Sequence, residues 1–240
     1  MHKIYFLNDY QCGKYDISKS SSYCWLTKTE MLETLSVMRV TNNYIDFGES
    51  QSMRFNKNNM SLSIIIPARN EKENLPIVLN KLKDVLNDLD YEIIVIKAIN
   101  DNSDQFVNSS NYDNLRIIEQ KKKGYGAALK EGFLSSQKKS LCIFNADGSF
   151  ETNDIKRLTN EIYKGNDFVY CSRYRKNAGS EDDNFTTFIG NHIFSLIGRL
   201  FFKLKLTDIL FTYFIANTQK INSLELTSDD FGICVEIPIK

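Results

Sequence analysis

A chain of 240 residues with 42% hydrophobic and 25% charged content holds enough apolar material for one sizeable folded domain plus an extension. Its 30 Lys and Arg balance its 30 Asp and Glu, so no global field draws nucleic acid, and an anionic partner has to be held by a local site. The five cysteines (Cys12, Cys24, Cys142, Cys171, Cys234) are scattered without a C-x-x-C pair, and His2 and His192 are far apart. That spacing argues against a zinc site and against a disulfide framework, and it fits a reducing cytoplasm. The N-terminal MHKIYFLNDYQ lacks the apolar core of a signal peptide, and no uncharged apolar run reaches the roughly 18 residues of a membrane span.

Along the chain, residues 27–40 show a short helical pattern with Met31, Leu32, Leu35 and Met38 on one face, and residues 42–47 read as a strand. The stretch 23–47 faintly resembles the tail of a class I methyltransferase, but no cofactor-binding glycine loop accompanies it. Residues 49–61, ESQSMRFNKNNMS, are polar and non-periodic and read as a linker. The chain therefore divides into an extension with its linker, residues 1–60, and a main domain, residues 61–240, with residues 1–55 expected outside the central sheet. Limited proteolysis is expected to cut at residues 51–60; protection there, with cleavage inside residues 62–172 instead, would contradict the boundary.

Strands and helices then alternate. Residues 61–66 are a buried-strand run ended by Pro67, and residues 74–89 are a helix with Leu75, Val78, Leu79, Leu82, Val85, Leu86 and Leu89 at three- and four-residue spacing. Strands are expected at 91–96, 115–118, 140–144 and 168–172, and helices at 126–135 and 155–163. This order predicts an α/β fold with a mostly parallel sheet covered by helices on both faces.

Polar residues gather where these strands end, which is where ligands bind in open α/β sheets. The first strand runs into Pro67-Ala68-Arg69-Asn70-Glu71, the second into Asn100-Asp101-Asn102-Ser103-Asp104, and the fourth into Asn145-Ala146-Asp147-Gly148-Ser149. Each alone reads as an ordinary polar turn. Three in register are harder to dismiss. Lys123-Gly124-Tyr125-Gly126 opens a helix behind a basic run, and glycines at a helix N-terminus permit close backbone approach to an anion. Arg173 leaves the last strand toward the same edge, as a surface ion-pair residue or as a phosphate contact. From residue 185 to 204 an apolar helical stripe is interrupted by Arg199 and Lys203 and followed by Lys205. It suits a core-facing helix, and its cations beside aromatics also suit an anionic membrane surface.

The segments PARNEKENLP, NDNSD, KKGYGAALKEGF, FNADGSF and CSRY, in this order over residues 62–240, resemble the family 2 glycosyltransferases, in particular the branch of polyprenyl-phosphate sugar synthases. That resemblance implies the GT-A fold, the Rossmann-like fold of nucleotide-diphospho-sugar transferases. It also implies a hexosyltransferase that moves a sugar from a UDP- or GDP-sugar to a polyprenyl phosphate or a cell-envelope glycan precursor, inversion at the sugar carbon, and peripheral contact with the inner membrane face. The departing diphosphate needs a divalent cation, Mg²⁺ or Mn²⁺, on hard oxygen ligands. The resemblance assigns that metal to Asp147, the motif's first acid being replaced by Asn145, which could still contact ribose or base. It assigns the donor pocket to Pro67, Ala68, Asn70, Glu71, Asp101, Lys123, Gly124, Gly126, Asn145, Ala146 and Arg173. Asp101 would read the base edge, although Lys97-Ala98-Ile99 looks like an insertion before it. Asp208 would be the acid serving the acceptor, with Asp229, Asp230 and Glu236 as further candidates. A sugar-nucleotide nucleotidyltransferase is the first alternative, and it would want a Gly-rich loop after the first strand. A non-catalytic scaffold is the second, favoured by Asn145 and by the short C-terminal region.

Overall fold

The computed structural model describes residues 4–6, 60–171 and 210–240. The expected helix at 27–40, the strand at 42–47, the linker before residue 60 and the apolar stripe at 185–204 lie outside the described residues, as do Arg173 and Asp208. The elements in chain order are β1 (Ile4–Phe6), β2 (Ser61–Ala68), α1 (Asn74–Leu86), β3 (Asp90–Lys97), a 3₁₀ turn (Ser109–Asn111), β4 (Leu115–Glu119), α2 (Tyr125–Ser135), β5 (Ser140–Ile143), α3 (Asp154–Ile162), β6 (Phe168–Tyr170), β7 (Phe214–Asn217), α4 (Thr218–Asn222) and α5 (Ile233–Ile239). They build a seven-stranded sheet in the order β1-β6-β7-β5-β2-β3-β4.

β2 lies in the interior of the sheet because it is apolar on both faces, with Leu62, Ile64, Ile65 and Ile66 fully buried. It pairs in parallel with β3 on one side and β5 on the other. Its even-numbered residues share one core with Leu75, Val78, Leu79, Leu82 and Leu86 of α1 and with Ile155, Leu158 and Ile162 of α3. Ile65 points to the opposite face, against Ala128, Leu129 and Phe133 of α2 and Ile233 and Ile237 of α5. Helices thus cover both faces, as the alternation of elements predicts.

Three features depart from the sequence reading. Ile4–Phe6 pairs in parallel with β6 at the edge of the sheet, so the first 55 residues do not lie wholly outside it. Of residues 97–99, read as an insertion, Lys97 closes β3 opposite Ala68, the Ala98 amide donates to the Ala68 carbonyl at 2.9 Å, and Ile99 begins the turn that follows. β7 is antiparallel to both β5 and β6 and fills the space between them. Its run Phe-Ile-Ala-Asn follows Phe211-Thr-Tyr, and in so continuously apolar a stretch periodicity alone does not separate strand from buried helix.

Candidate functional site

The site is built at the carboxyl ends of β5, β2 and β3, three neighbours in the sheet. β2 and β3 each end in a left-handed Asn, Asn70 at φ 61° and Asn100 at φ 57°. Asn tolerates this conformation better than other residues with a side chain, so both Asn positions answer first to the backbone. The turn at Asn70 aims its amide at the Asp101 carboxylate, 3.1 and 3.2 Å from the two oxygens. Asp101 also accepts from the Asn102 amide at 2.8 Å and from the Ser103 hydroxyl. Ser103 is fully buried and its Oγ accepts the Glu71 amide at 2.9 Å. Asp101 and Ser103 together clamp the β2–α1 turn to the β3 exit. Burial raises the Asp101 carboxyl, and the donors from Ser103, Asn70 and Asn102 outweigh it, leaving Asp101 below its ordinary range.

Ser103 was not singled out from the sequence, although it stands inside the Asn-Asp-Asn-Ser-Asp run. A small hydroxyl two residues after an acid at a strand exit is the available signal. Ser103→Ala leaves a buried amide without its acceptor. The expected cost is about 1–3 kcal/mol of stability, read as a lowered thermal midpoint, together with weaker nucleotide binding as the clamp loosens.

Glu71 is half-buried, and its side chain accepts a hydrogen bond from Asn74. Burial raises its carboxyl above the usual range, a hydrogen bond from Asn74 at 2.9 Å pulls it down, and the charges of Asp147 and Asp101 push it up again. The adjacency of β5, β2 and β3 sets Glu71, Asp101 and Asp147 after the ends of three neighbouring strands. Asp147 is exposed, and its Oδ1 accepts the Ser149 amide at 2.9 Å in a turn that Gly148 completes at φ 78°. The Asn145 amide group donates to Ser149 Oγ at 3.2 Å, so Asn145 braces the same turn.

Several expected donor contacts take a different form. Ala68 and Ala146 are buried with the core on the α1 side, so each can offer a ligand only its backbone. Pro67 is half-buried within the β2 ladder, and Lys123 is exposed. The close backbone approach that Gly124 and Gly126 permit is made by the protein itself. A Cβ on Gly124 would stand 2.0 Å from the Asp229 carbonyl oxygen, and one on Gly126 would stand 2.5 Å from that of Ser228. The reserve acids near the C-terminus are also engaged. Lys122 and Lys130 hold the Asp229 carboxyl below its ordinary range. Asp230 accepts the Gly232 amide at 2.8 Å. Glu236 accepts the Thr227 and Ser228 amides, and these bonds, with the Lys240 ammonium, outweigh burial and pull its carboxyl down. Lowered carboxyls are poor general bases, so Asp229 and Glu236 do not fit that role.

Among the described residues, no group of three His, Cys, Asp or Glu is placed to hold a metal ion unaided. What the edge does present is one exposed carboxylate, Asp147, near a Glu71 carboxyl raised first by burial and further by the charges of Asp147 and Asp101. A divalent cation would relieve that repulsion and would need further oxygens from a ligand such as a diphosphate. The residues fit a shared metal–ligand site and not a closed structural one. No helix among the described residues is long and apolar enough to cross a membrane.

A largely parallel α/β sheet with acids at the ends of three adjacent strands defines the class of Rossmann-like domains that bind nucleotides at this edge. Within that class, the glycosyl transferase family 2 model matches residues 63–224, and the chain belongs to this family. Membership sets aside the nucleotidyltransferase alternative. The chain is 29% identical to the dolichol-phosphate mannosyltransferase of Pyrococcus furiosus over 75% of its own length and 53% of the relative's. It is 32% identical to a dolichyl-phosphate beta-glucosyltransferase of Dictyostelium discoideum over 51% of its length and 44% of the relative's. The chain thus spans about half the length of these curated relatives. Among solved structures, glucosyl-3-phosphoglycerate synthase of Mycobacterium tuberculosis, crystallised with Mn²⁺, UDP and phosphoglyceric acid, superposes with a TM-score of 0.58. The match has 16% identity and covers 74% of this chain and 62% of that one, and it establishes the GT-A fold.

Proposed function

We propose that this chain takes a UDP- or GDP-sugar at the carboxyl edge of β5, β2 and β3 and transfers the sugar to a polyprenyl phosphate. The observation that carries the reading is the placing of Glu71, Asp101 and Asp147 after the carboxyl ends of the neighbouring strands β2, β3 and β5, with the Asn70 and Glu71 amides bound to Asp101 and Ser103. In this reading Asp101 and Ser103 shape the base end of the pocket, and a base N–H would share the Asp101 carboxylate with the backbone donors already on it. Asp147 is the protein's ligand to Mg²⁺ or Mn²⁺, and such an ion, when bound, offsets charge on the departing diphosphate. Asn145 keeps the Asp147 turn in place.

The acceptor phosphate oxygen attacks the anomeric carbon as the bond to the diphosphate oxygen breaks. One displacement of this kind inverts that centre. A phosphate acceptor is already ionised, so no base is needed, which agrees with the engaged state of Asp229 and Glu236. Support for a lipid acceptor comes from the two dolichyl-phosphate relatives. The cation-bearing apolar sequence at 185–204 would then face an anionic membrane surface, and the transferase domain is residues 61–240 together with the edge strand Ile4–Phe6. The test is release of nucleoside diphosphate from UDP- and GDP-sugars with Mn²⁺, with and without a short-chain polyprenyl phosphate. Release that depends on the lipid phosphate is expected. Release unaffected by it would remove this acceptor class.

A further inference from the structure

The donor reading leaves one piece of the same edge unused: the strap of residues 227–232 that crosses the start of α2. Its Asp229 carbonyl accepts the Ala127 amide at 3.0 Å, closing the helix N-terminus with protein backbone. Gly124, at φ 122°, and Gly126 are the residues against which the strap lies. For a Cβ at Gly126, the Ser228 and Asp230 carbonyl oxygens would be only 2.5 and 2.7 Å away, so no side chain fits. The Asp229 carboxylate receives Lys130 Nζ at 2.8 Å and Lys122 Nζ from the basic run, and Lys130 also donates to the Thr227 carbonyl at 3.0 Å. Behind the strap, Glu236 takes the Thr227 and Ser228 amides at 2.8 Å each, so its base is anchored to α5.

The far end of the strap packs on the loop itself. Phe231, 71% exposed, stacks on Tyr125 with ring centroids 4.8 Å apart and planes 16° apart. The Tyr125 hydroxyl hydrogen-bonds Thr212 at 3.1 Å, in the segment that enters β7, and Tyr125 lies within electrostatic reach of Asp147. The Lys-Gly-Tyr-Gly loop is therefore held from one side by the strap, and its aromatic member is fixed between Phe231 and Thr212. A free loop rich in glycine would sample many conformations, and its ordering would oppose ligand binding.

We infer that Asp229 is a positioning residue: its ion pairs with Lys122 and Lys130 latch residues 227–232 onto the Lys-Gly-Tyr-Gly loop and keep that loop in place at the carboxyl edge for the donor. The inference rests on the proposed donor site, and its two consequences separate. A latch changes loop opening whether or not a nucleotide binds, and it changes nucleotide affinity only if the edge is the donor site. The ion pairs are solvent-accessible, so salt should weaken them.

The experiment compares wild type, Asp229→Asn, Asp229→Glu and Lys130→Met as full chains. Hydrogen exchange is followed for the peptide covering residues 120–128, and UDP and GDP titrations are run with Mn²⁺ at low and high salt. Asp229→Asn and Lys130→Met should each speed exchange of that peptide about fivefold or more and weaken nucleotide affinity about five- to tenfold. Asp229→Glu should stay within about twofold of wild type, and high salt should lower wild-type affinity more than that of Asp229→Asn. Unchanged exchange and affinity in both Asp229→Asn and Lys130→Met overturn the latch. Equal loss in Asp229→Glu and Asp229→Asn also overturns it, since the charge would then not be the cause. Faster exchange in a protein that binds neither nucleotide keeps the latch and overturns the donor reading.

Discussion

Asp147→Ala is expected to lower metal-dependent nucleotide-sugar turnover about a hundredfold or more, about 2.7 kcal/mol of lost transition-state stabilisation, while leaving the fold intact. Asp147 is exposed, and among the described residues its side chain takes one hydrogen bond, from the Ser149 amide, so its removal opens no cavity and leaves no buried charge. What it removes is the one carboxylate of the Asn-Ala-Asp turn. A site with few protein charges binds a cation weakly alone and better with a diphosphate present, because each completes the other's surroundings. The free Mn²⁺ signal in electron paramagnetic resonance, titrated with UDP or GDP, checks this directly. Wild type should take up Mn²⁺ only when nucleotide is added, and Asp147→Ala should take up none. Asn145→Asp should shift uptake to lower nucleotide concentration by restoring a second carboxylate. Asn145 now braces the turn through Ser149, so some local order should be lost in that variant even as metal affinity rises.

Glu92→Ala is expected to be the most destabilising substitution at the opposite end of the sheet, costing about 3 kcal/mol. Glu92 is 6% exposed and takes hydrogen bonds from Ser63 Oγ at 2.6 Å, the Gln137 amide at 2.6 Å and Arg116 at 2.5 Å. Arg116 also donates to the Ser135 carbonyl at 2.6 Å, so one carboxylate ties together β2, β3, β4 and the α2–β5 turn. Truncation strands three donors at once, and a thermal midpoint lowered by roughly 6–12 °C is the readout. Burial raises the Glu92 carboxyl, but its donors pull it further down, so its folded value lies below the ordinary 4.5. A carboxyl depressed by folding contributes stability that is present above its unfolded value and lost as pH falls through the folded one. Wild-type stability should therefore drop below about pH 4.5 more steeply than that of Glu92→Gln, in thermal melts across pH. Equal slopes would mean that other carboxyls dominate acid unfolding.

The parallel part of the fold was legible because its signals are local. The β-branched run of β2 and the three- and four-residue spacing in α1 each lie within one element, and the polar turns that follow strands mark the carboxyl edge. The exchange of hydrogen bonds between Asp101, Asn70 and Ser103 was not legible, since it joins residues about 30 positions apart. The glycines of the Lys-Gly-Tyr-Gly loop were read as sites of close backbone approach to an anion, but the group that approaches them in the structure is the Asp229 backbone, about 100 residues downstream, which no local pattern announces. β7 was missed for a different reason. Its antiparallel position between β5 and β6 is a property of the sheet, and its own sequence is merely apolar and aromatic. Ala68 and Ala146 show the limit of motif carry-over: a residue can belong to a motif at the ligand edge and still turn its side chain into the core.

The central claim is that one edge holds a nucleoside diphosphate through a metal on Asp147. Calorimetric titration of the wild-type chain with UDP and with GDP, each with Mn²⁺ and with chelator, tests it most directly. Binding of at least one nucleotide, about tenfold or more tighter with Mn²⁺ than with chelator, is the expected result. Binding of neither nucleotide under any metal condition would contradict the claim and leave a family 2 scaffold without a donor site, and equal affinity with chelator would take Asp147 out of the metal's coordination.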